Sequence, residues 1–186
     1  MFYAKVKDMA IENININGFI YTDITADVGY GRDTHLLVSV FKDSGIEVGN
    51  VLKITDSILT CNILETINND IVYHRVKEYE ISDLKELPED NKVIVSLTGN
   101  YCPNKLRQIK YVSVSRIPMF MASLRSRNEL NVSWNIQIVG FKKLVNKMMA
   151  IDRKSMVNIK GELVPKKYVD GWEIKLQSIE VQKGES

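Results

Sequence analysis

The chain has few of the residues that mark secreted, metal-binding or catalytic proteins. It carries two cysteines, Cys61 and Cys102, with no Cys-x-x-Cys pair, so it has no disulfide framework. Its two histidines, His35 and His74, lie far apart, and neither has a cysteine or carboxylate at metal-ligand spacing. No Walker-type phosphate loop and no nucleophile elbow is present. Asp23, Asp27 and Asp33 surround the short Gly29-Tyr30-Gly31 turn, which reads as an acidic hairpin loop rather than a cation or cofactor cradle. No apolar run nears the roughly 18 residues needed to span a bilayer. The opening MFYAKVKDMAIENININ is charged and polar too early for a secretory signal. These absences lead us to expect a soluble cytoplasmic protein that is not an enzyme, with no cofactor, no metal and no membrane association.

What is present is an ordinary folding composition with an uneven charge distribution. Hydrophobic residues make up 45% and charged residues 26% of 186 residues, which excludes a disordered chain. The net charge of +2 hides a division. Residues 1–90 hold 8 Lys and Arg against 16 Asp and Glu, a balance of −8, and residues 91–186 hold 17 against 7, a balance of +10. A split of this kind points to an anionic partner, above all nucleic acid, for the basic half. Both tryptophans, Trp134 and Trp172, are in that half.

The densely charged stretch at 83–91, with Pro88 inside it, is the expected linker. It separates an acidic β domain over 1–86 from a basic domain over 91–182. Short β-rich runs broken by turn residues predict strands near 14–24, 34–41, 50–60 and 70–80 in the first half. In the second they predict strands near 92–98, 117–126, 131–139, 156–165 and 171–181. Residues 141–151 differ: Phe141, Leu144, Val145, Met148 and Met149 fall at helical spacing, with Lys142, Lys143, Asn146 and Lys147 opposite. That stripe reads as core packing. Five strands with a helix between the third and fourth is the order of an OB-fold, a small closed barrel, although other small barrels fit the same string.

Residues 91–182 resemble the OB domain of bacterial single-stranded DNA-binding proteins. The run KVIVSLTGN at 92–100 is similar to that family's first strand and the Gly-containing loop after it. Leu106, Arg107, Ile109, Lys110 and Tyr111 fall where the family has a basic loop before strand two. The run SWNIQIV at 133–139, followed by GFKKL, resembles strand three entering the helix. The stretch DRKSMVNIKGELV at 152–164 and the segment from Lys166 to Leu176 are similar to strand four, its hairpin and the final strand. The first half has a thinner likeness, in EVGNVLKIT at 47–55 and in 70–76, which suggests a second, diverged OB-fold. The expected fold class is therefore all-β with one short helix, as tandem five-stranded barrels. The chain differs from the family plan in having the acidic half, and in ending at QKGES where a flexible acidic tail is usual.

Binding a single strand without base specificity takes a basic groove along the backbone and aromatic faces for stacking. By the resemblance, Arg107, Lys110, Arg125, Lys166 and Lys167 occupy the binding loops and sheet edge, and Arg127 closes strand two. Trp134, Phe141 and Tyr168 occupy family stacking positions, and Tyr111 lies on a binding loop. Strand parity disputes Trp134, which shares a face with Ile136 and Ile138 while Ser133, Asn135 and Gln137 point the other way. Trp172 shares parity with Ile174 and Leu176 and reads as core. Lys142, Lys143 and Lys147, on the helix, read as solvated surface, and Arg153 and Lys154 follow it. Tyr168, beside Lys166 and Lys167 at a hairpin turn, is the leading stacking residue.

The expected function is non-catalytic binding of single-stranded DNA by the second domain, in DNA replication, recombination or mobile-element maintenance. The resemblance implies a homo-oligomer. The acidic residues 1–90 would contact a protein partner, a second subunit or the basic groove itself. The alternative is an OB-fold assembly factor of a replication or DNA-transfer complex. RNA binding is a variant of the same mechanism, since a stacking groove does not by itself exclude the 2′-hydroxyl.

Overall fold

The computed structural model describes residues 1–16, 18–31, 35–41, 45–61, 72–128, 131–167 and 169–182. The chain divides into two compact units between Val93 and Ile94. Each is described by itself.

The first unit contains β1 (Phe2–Ile16), β2 (Phe19–Asp27), β3 (His35–Phe41), β4 (Val51–Cys61) and β5 (Val72–Ser82), closed into a barrel in the order β1-β2-β3-β5-β4. The contact between β3 and β5 is parallel, and every other contact in the ring is antiparallel. Closure depends on β1, which gives its first residues to β4 (Phe2 to Lys5 against Ile54 to Val51) and the rest to β2. The strand expected near 14–24 is corrected here. The chain reverses at Gly18, which has a φ of 84° that L residues rarely adopt, so that stretch is the end of β1 and the start of β2. The alternation of Phe2, Ala4 and Val6, all buried, against Tyr3, Lys5 and Lys7 was the available signal for the missing strand.

Asn91, the first residue of the expected second domain, is held by this first barrel. Its amide donates to the carbonyls of Tyr3 and Val28 at 2.8 and 2.9 Å and accepts from the Tyr3 N–H at 2.8 Å. Lys5 and Glu86 form an ion pair at 2.8 Å that holds the charged stretch before it.

The second unit contains β6 (Ile94–Pro103), β7 (Lys110–Tyr111), β8 (Pro118–Arg127), β9 (Ser133–Phe141), α1 (Lys143–Ala150), β10 (Met156–Pro165) and β11 (Trp172–Val181). The sheet order is β6-β10-β11-β9-β8-β7, and an added β6–β8 pairing closes a five-strand ring with β7 as an appendage. Numbered within each unit, both rings run 1-2-3-5-4, the OB-fold arrangement, with α1 between strands three and four of the second. β6 closes its ring as β1 does: Ile94 to Asn100 pair with β10, and Asn100 to Pro103 pair with β8. The crossing is tight. A Cβ at Gly99 would lie 2.5 Å from the Arg125 carbonyl oxygen, so only glycine fits.

Phe141 is the last residue of β9 and lies outside α1, whose buried positions are Val145 and Met148. Among the described residues, no helix is long and apolar enough to cross a membrane.

The first core buries a titratable imidazole, His74, which is 1% exposed. Its Nδ1 is 3.1 Å from Ser57 Oγ, and its ring meets the Phe2 ring edge-on at 5.0 Å. Burial disfavours the charged imidazolium and pushes its pKa down to about 3. An unfolded histidine titrates near 6.5, so between pH 6.5 and 3 the unfolded chain binds the extra proton. Stability from this group is complete above about 6.5 and falls as pH drops toward 3, at up to about 1.4 kcal/mol per pH unit. In urea unfolding followed by circular dichroism from pH 7 to pH 4, His74→Gln is expected to lose less stability than the wild type. An equal loss in both would show that other groups cause the acid sensitivity.

Candidate nucleic-acid interface

An OB-fold presents its ligand face on strands two and three, with the loop between strands one and two and the hairpin between four and five at its ends. In the second barrel these are β8, β9, the segment between β6 and β8, and the connection from β10 to β11. The alternation of β8 and β9 buries Phe120, Ala122, Leu124, Trp134, Ile136 and Ile138. It turns Met121, Ser123, Arg125 and Arg127 outward, opposite Val139, Gln137, Asn135 and Ser133. The outward rows are polar and cationic, apart from Met121 and the buried Val139.

Trp134 is corrected as a stacking residue. It is 1% exposed and faces the core with Ile136 and Ile138, so no base can reach its ring. Trp172 begins β11 half-buried, on the side of the buried Ile174 and Leu176. Tyr168 lies outside the described residues. Phe141 is half-buried, with the Lys175 ammonium 5.5 Å from its ring centroid. Tyr111 is exposed on β7, beside Lys110, in the small hairpin with β8.

The predicted cations are in different situations. Arg125 is exposed, and its Nε donates to Asn135 Oδ1 at 3.4 Å. Arg127 donates to Asn131 Oδ1 at 2.7 Å. Lys110 lines a shallow groove with Asn104, Lys105, Leu106, Gln108 and Met121. Lys166 lies half-buried in the field of Glu173, and Lys167 is exposed next to it. Burial raises the pKa of Glu173, opposed by the Gln137 amide, which donates to it at 2.5 Å, and by Lys166.

Arg107 has a structural task. Its Nη1 donates to the Met149 carbonyl at 2.5 Å, while the buried Tyr101 hydroxyl donates to the Met148 carbonyl at 2.8 Å. Together they bind carbonyls in the last turn of α1, the Met148 oxygen being shared with the Ile151 N–H at 3.3 Å. Burial drives the Tyr101 pKa up to about 12, against the field of Arg107, so its hydroxyl keeps its proton and donates.

Two cations that sequence reasoning did not single out for the site join this face. Arg153 and Lys154 line a groove with Asn100, Cys102 and Arg125. Backbone bonds bring them there: the Lys154 N–H donates to the Tyr101 carbonyl at 2.7 Å, and the Tyr101 N–H donates to Ser155 at 2.9 Å. No sequence spacing shows this, because 28 positions separate Arg125 from Arg153. Among the described residues, no group of His, Cys, Asp and Glu could hold a metal ion.

Removing the Arg107 guanidinium by Arg107→Ala is expected to cost about 1 kcal/mol of stability, measured by thermal melting. Tyr101→Phe should cost a similar amount. An Arg107→Ala protein with unchanged stability but much weaker oligonucleotide binding would instead place this side chain on the ligand.

No protein-family model matches the sequence, and no curated protein matches it. Solved structures do resemble it. A deletion mutant of the single-stranded DNA binding protein from Thermus aquaticus aligns over 100% of this chain and 94% of its own, at a TM-score of 0.68 and 12% identity. The wild-type protein from the same organism aligns over 98% of this chain and 91% of its own, at 0.65 and 13% identity. At such identities the likeness establishes the fold alone, here a pair of OB barrels. It spans both barrels, including the acidic first half, whose sequence carries little of the resemblance.

Proposed function

We propose that the chain is a non-catalytic single-stranded DNA-binding protein whose second barrel neutralises the phosphate backbone. One observation carries this reading: Arg125, Arg153 and Lys154 converge on one groove with Asn100 and Cys102, beside the polar outward rows of β8 and β9. Guanidinium and ammonium groups lining a channel suit a phosphate chain, and Ser123, Asn135 and Gln137 offer hydrogen bonds that select no base strongly. Lys110 and Tyr111 extend the face along the β7–β8 hairpin, and Arg127, Lys166, Lys167, Phe141 and Tyr168 remain its proposed flanks. Arg107 acts from behind by fixing the loop to α1. Self-association, a place in replication or recombination, and the choice of DNA over RNA belong to the same proposal.

Phosphate neutralisation releases counterions, so affinity falls with salt with a log–log slope of about −0.7 for each phosphate contacted on a single strand. The test is fluorescence anisotropy with a labelled oligo(dT) of ~30 nucleotides, with duplex DNA and RNA of equal length as comparisons. Tight, salt-dependent binding to the single strand is expected. Arg125→Ala combined with Lys154→Ala should lower affinity and flatten the slope by about 1.4, two phosphates' worth. Absence of binding by the wild type at low salt would overturn the reading in favour of an assembly role.

A further inference from the structure

The first barrel presents the equivalent face of strands two and three, and it is built differently. On β2 and β3, alternation buries Thr22, Ile24, Ala26, Leu36, Val38 and Val40 and turns Phe19, Tyr21 and Phe41 outward. Tyr21 and Phe41 are cross-strand partners, with their rings stacked at 5.0 Å and 22°. Phe19 meets Phe41 edge-to-face at 5.9 Å and 69°. Behind them the Arg75 guanidinium lies 4.7 Å from the Tyr21 ring centroid. Phe19 is 57% exposed and Phe41 41%. Two large rings therefore stand open to solvent while Tyr21 and Arg75 hold them in place.

This face escapes the acidity of its half. Asp23 and Asp27 are the only carboxylates on β2, and β3 has none. The Asp23 carboxylate accepts a short hydrogen bond from Ser39 and lies in the field of Arg75. Asp27 lies 3.9 Å from the Lys7 ammonium. Other acids of the half are Asp8 and Glu12 on the neighbouring β1, Asp56 on β4, Glu78 and Glu80 late in β5, and Glu86 and Asp90 beyond it, and Asp43 follows Phe41 by two positions in the sequence. Among the described residues, the two carboxylates on these strands are matched and neither strand carries a Lys or Arg.

We infer that Phe19 and Phe41 form a base-stacking platform for single-stranded nucleic acid, so that the acidic barrel supplies stacking and the basic barrel supplies phosphate neutralisation. The inference rests on the proposed function. A second copy of the chain suits the patch less well. A fully buried aromatic side chain contributes about 150–250 Å², so two partly exposed rings fall well short of the roughly 800 Å² per partner of a stable interface. Bases need only ring faces, and each stacked base is worth roughly 5- to 150-fold in affinity.

The test uses the full chain and the same labelled oligo(dT), titrated at several salt concentrations. Phe19→Ala with Phe41→Ala should weaken binding by about 30-fold or more and leave the salt slope unchanged, since no phosphate contact is lost. That result separates stacking from the slope-flattening expected of Arg125 and Lys154 variants. Phe41→Trp keeps an aromatic face. It should retain affinity and show fluorescence quenching on oligonucleotide addition beyond that of Trp134 and Trp172 in the wild type, a readout independent of how well the alanine variant folds. Wild-type binding that the alanine pair leaves intact, with no added quenching in Phe41→Trp, would overturn this inference alone. A drop in solution mass of the alanine pair, with affinity retained, would overturn it in favour of a contact between copies. Failure of the wild type to bind at all would remove the proposed function and this inference together.

Discussion

Ring closure is the constraint on which the rest of the structure depends. In each unit the first strand must serve two partners on opposite sides of a small barrel, with strand four at one end and strand two at the other. A strand can do this only by bending sharply and letting another backbone come very close. At Gly99 the approach to the Arg125 carbonyl leaves no room for a Cβ. Once the ring is closed, register leaves no freedom about which side chains face out, because a slip of one residue would turn the apolar rows into solvent. The outward rows of strands two and three follow from the inward ones.

Closure also places chemistry that the chain order keeps apart. Because Asn100 pairs with Arg125 and the next residue, Tyr101, receives the backbone of Lys154, the loop after α1 joins the edge of the β8–β9 face. The same loop is steadied from inside by Tyr101 and Arg107, which occupy carbonyls in the final helical turn. Arg107 and Arg125 look alike in a list of basic residues. One completes a helix end and the other stays exposed on a groove, and only their partners distinguish them.

The two barrels put one topology to contrasting surfaces. In the second, the described outward rows are rich in cations and amides and poor in exposed rings. In the first, two phenylalanines and a tyrosine occupy the corresponding strands, with their nearby carboxylates matched by Ser39, Arg75 and Lys7. Net charge by halves, −8 against +10, therefore misdescribes the first barrel locally. Charge averaged over 90 residues says nothing about which strands carry it.

The sequence by itself determined much of this protein. Short β-rich runs bounded by turn residues located strands near 34–41, 50–60, 117–126 and 156–165, and helical spacing located α1, because burial on one side of a helix writes its period into the chain. Parity alone cast doubt on Trp134. The reading failed at 14–24, where the Asn17-Gly18 pair, a hairpin turn signal, lies inside a run taken as one strand, and at Phe141, where the last strand residue happens to match the helix stripe that follows. Tertiary structure decided the pairing order, and with it the meeting of Arg125 with Arg153 and Lys154 and of Phe19 with Phe41. Periodicity records whether a residue faces in or out. It does not record which strand lies alongside, and a binding surface is made of side chains on neighbouring strands.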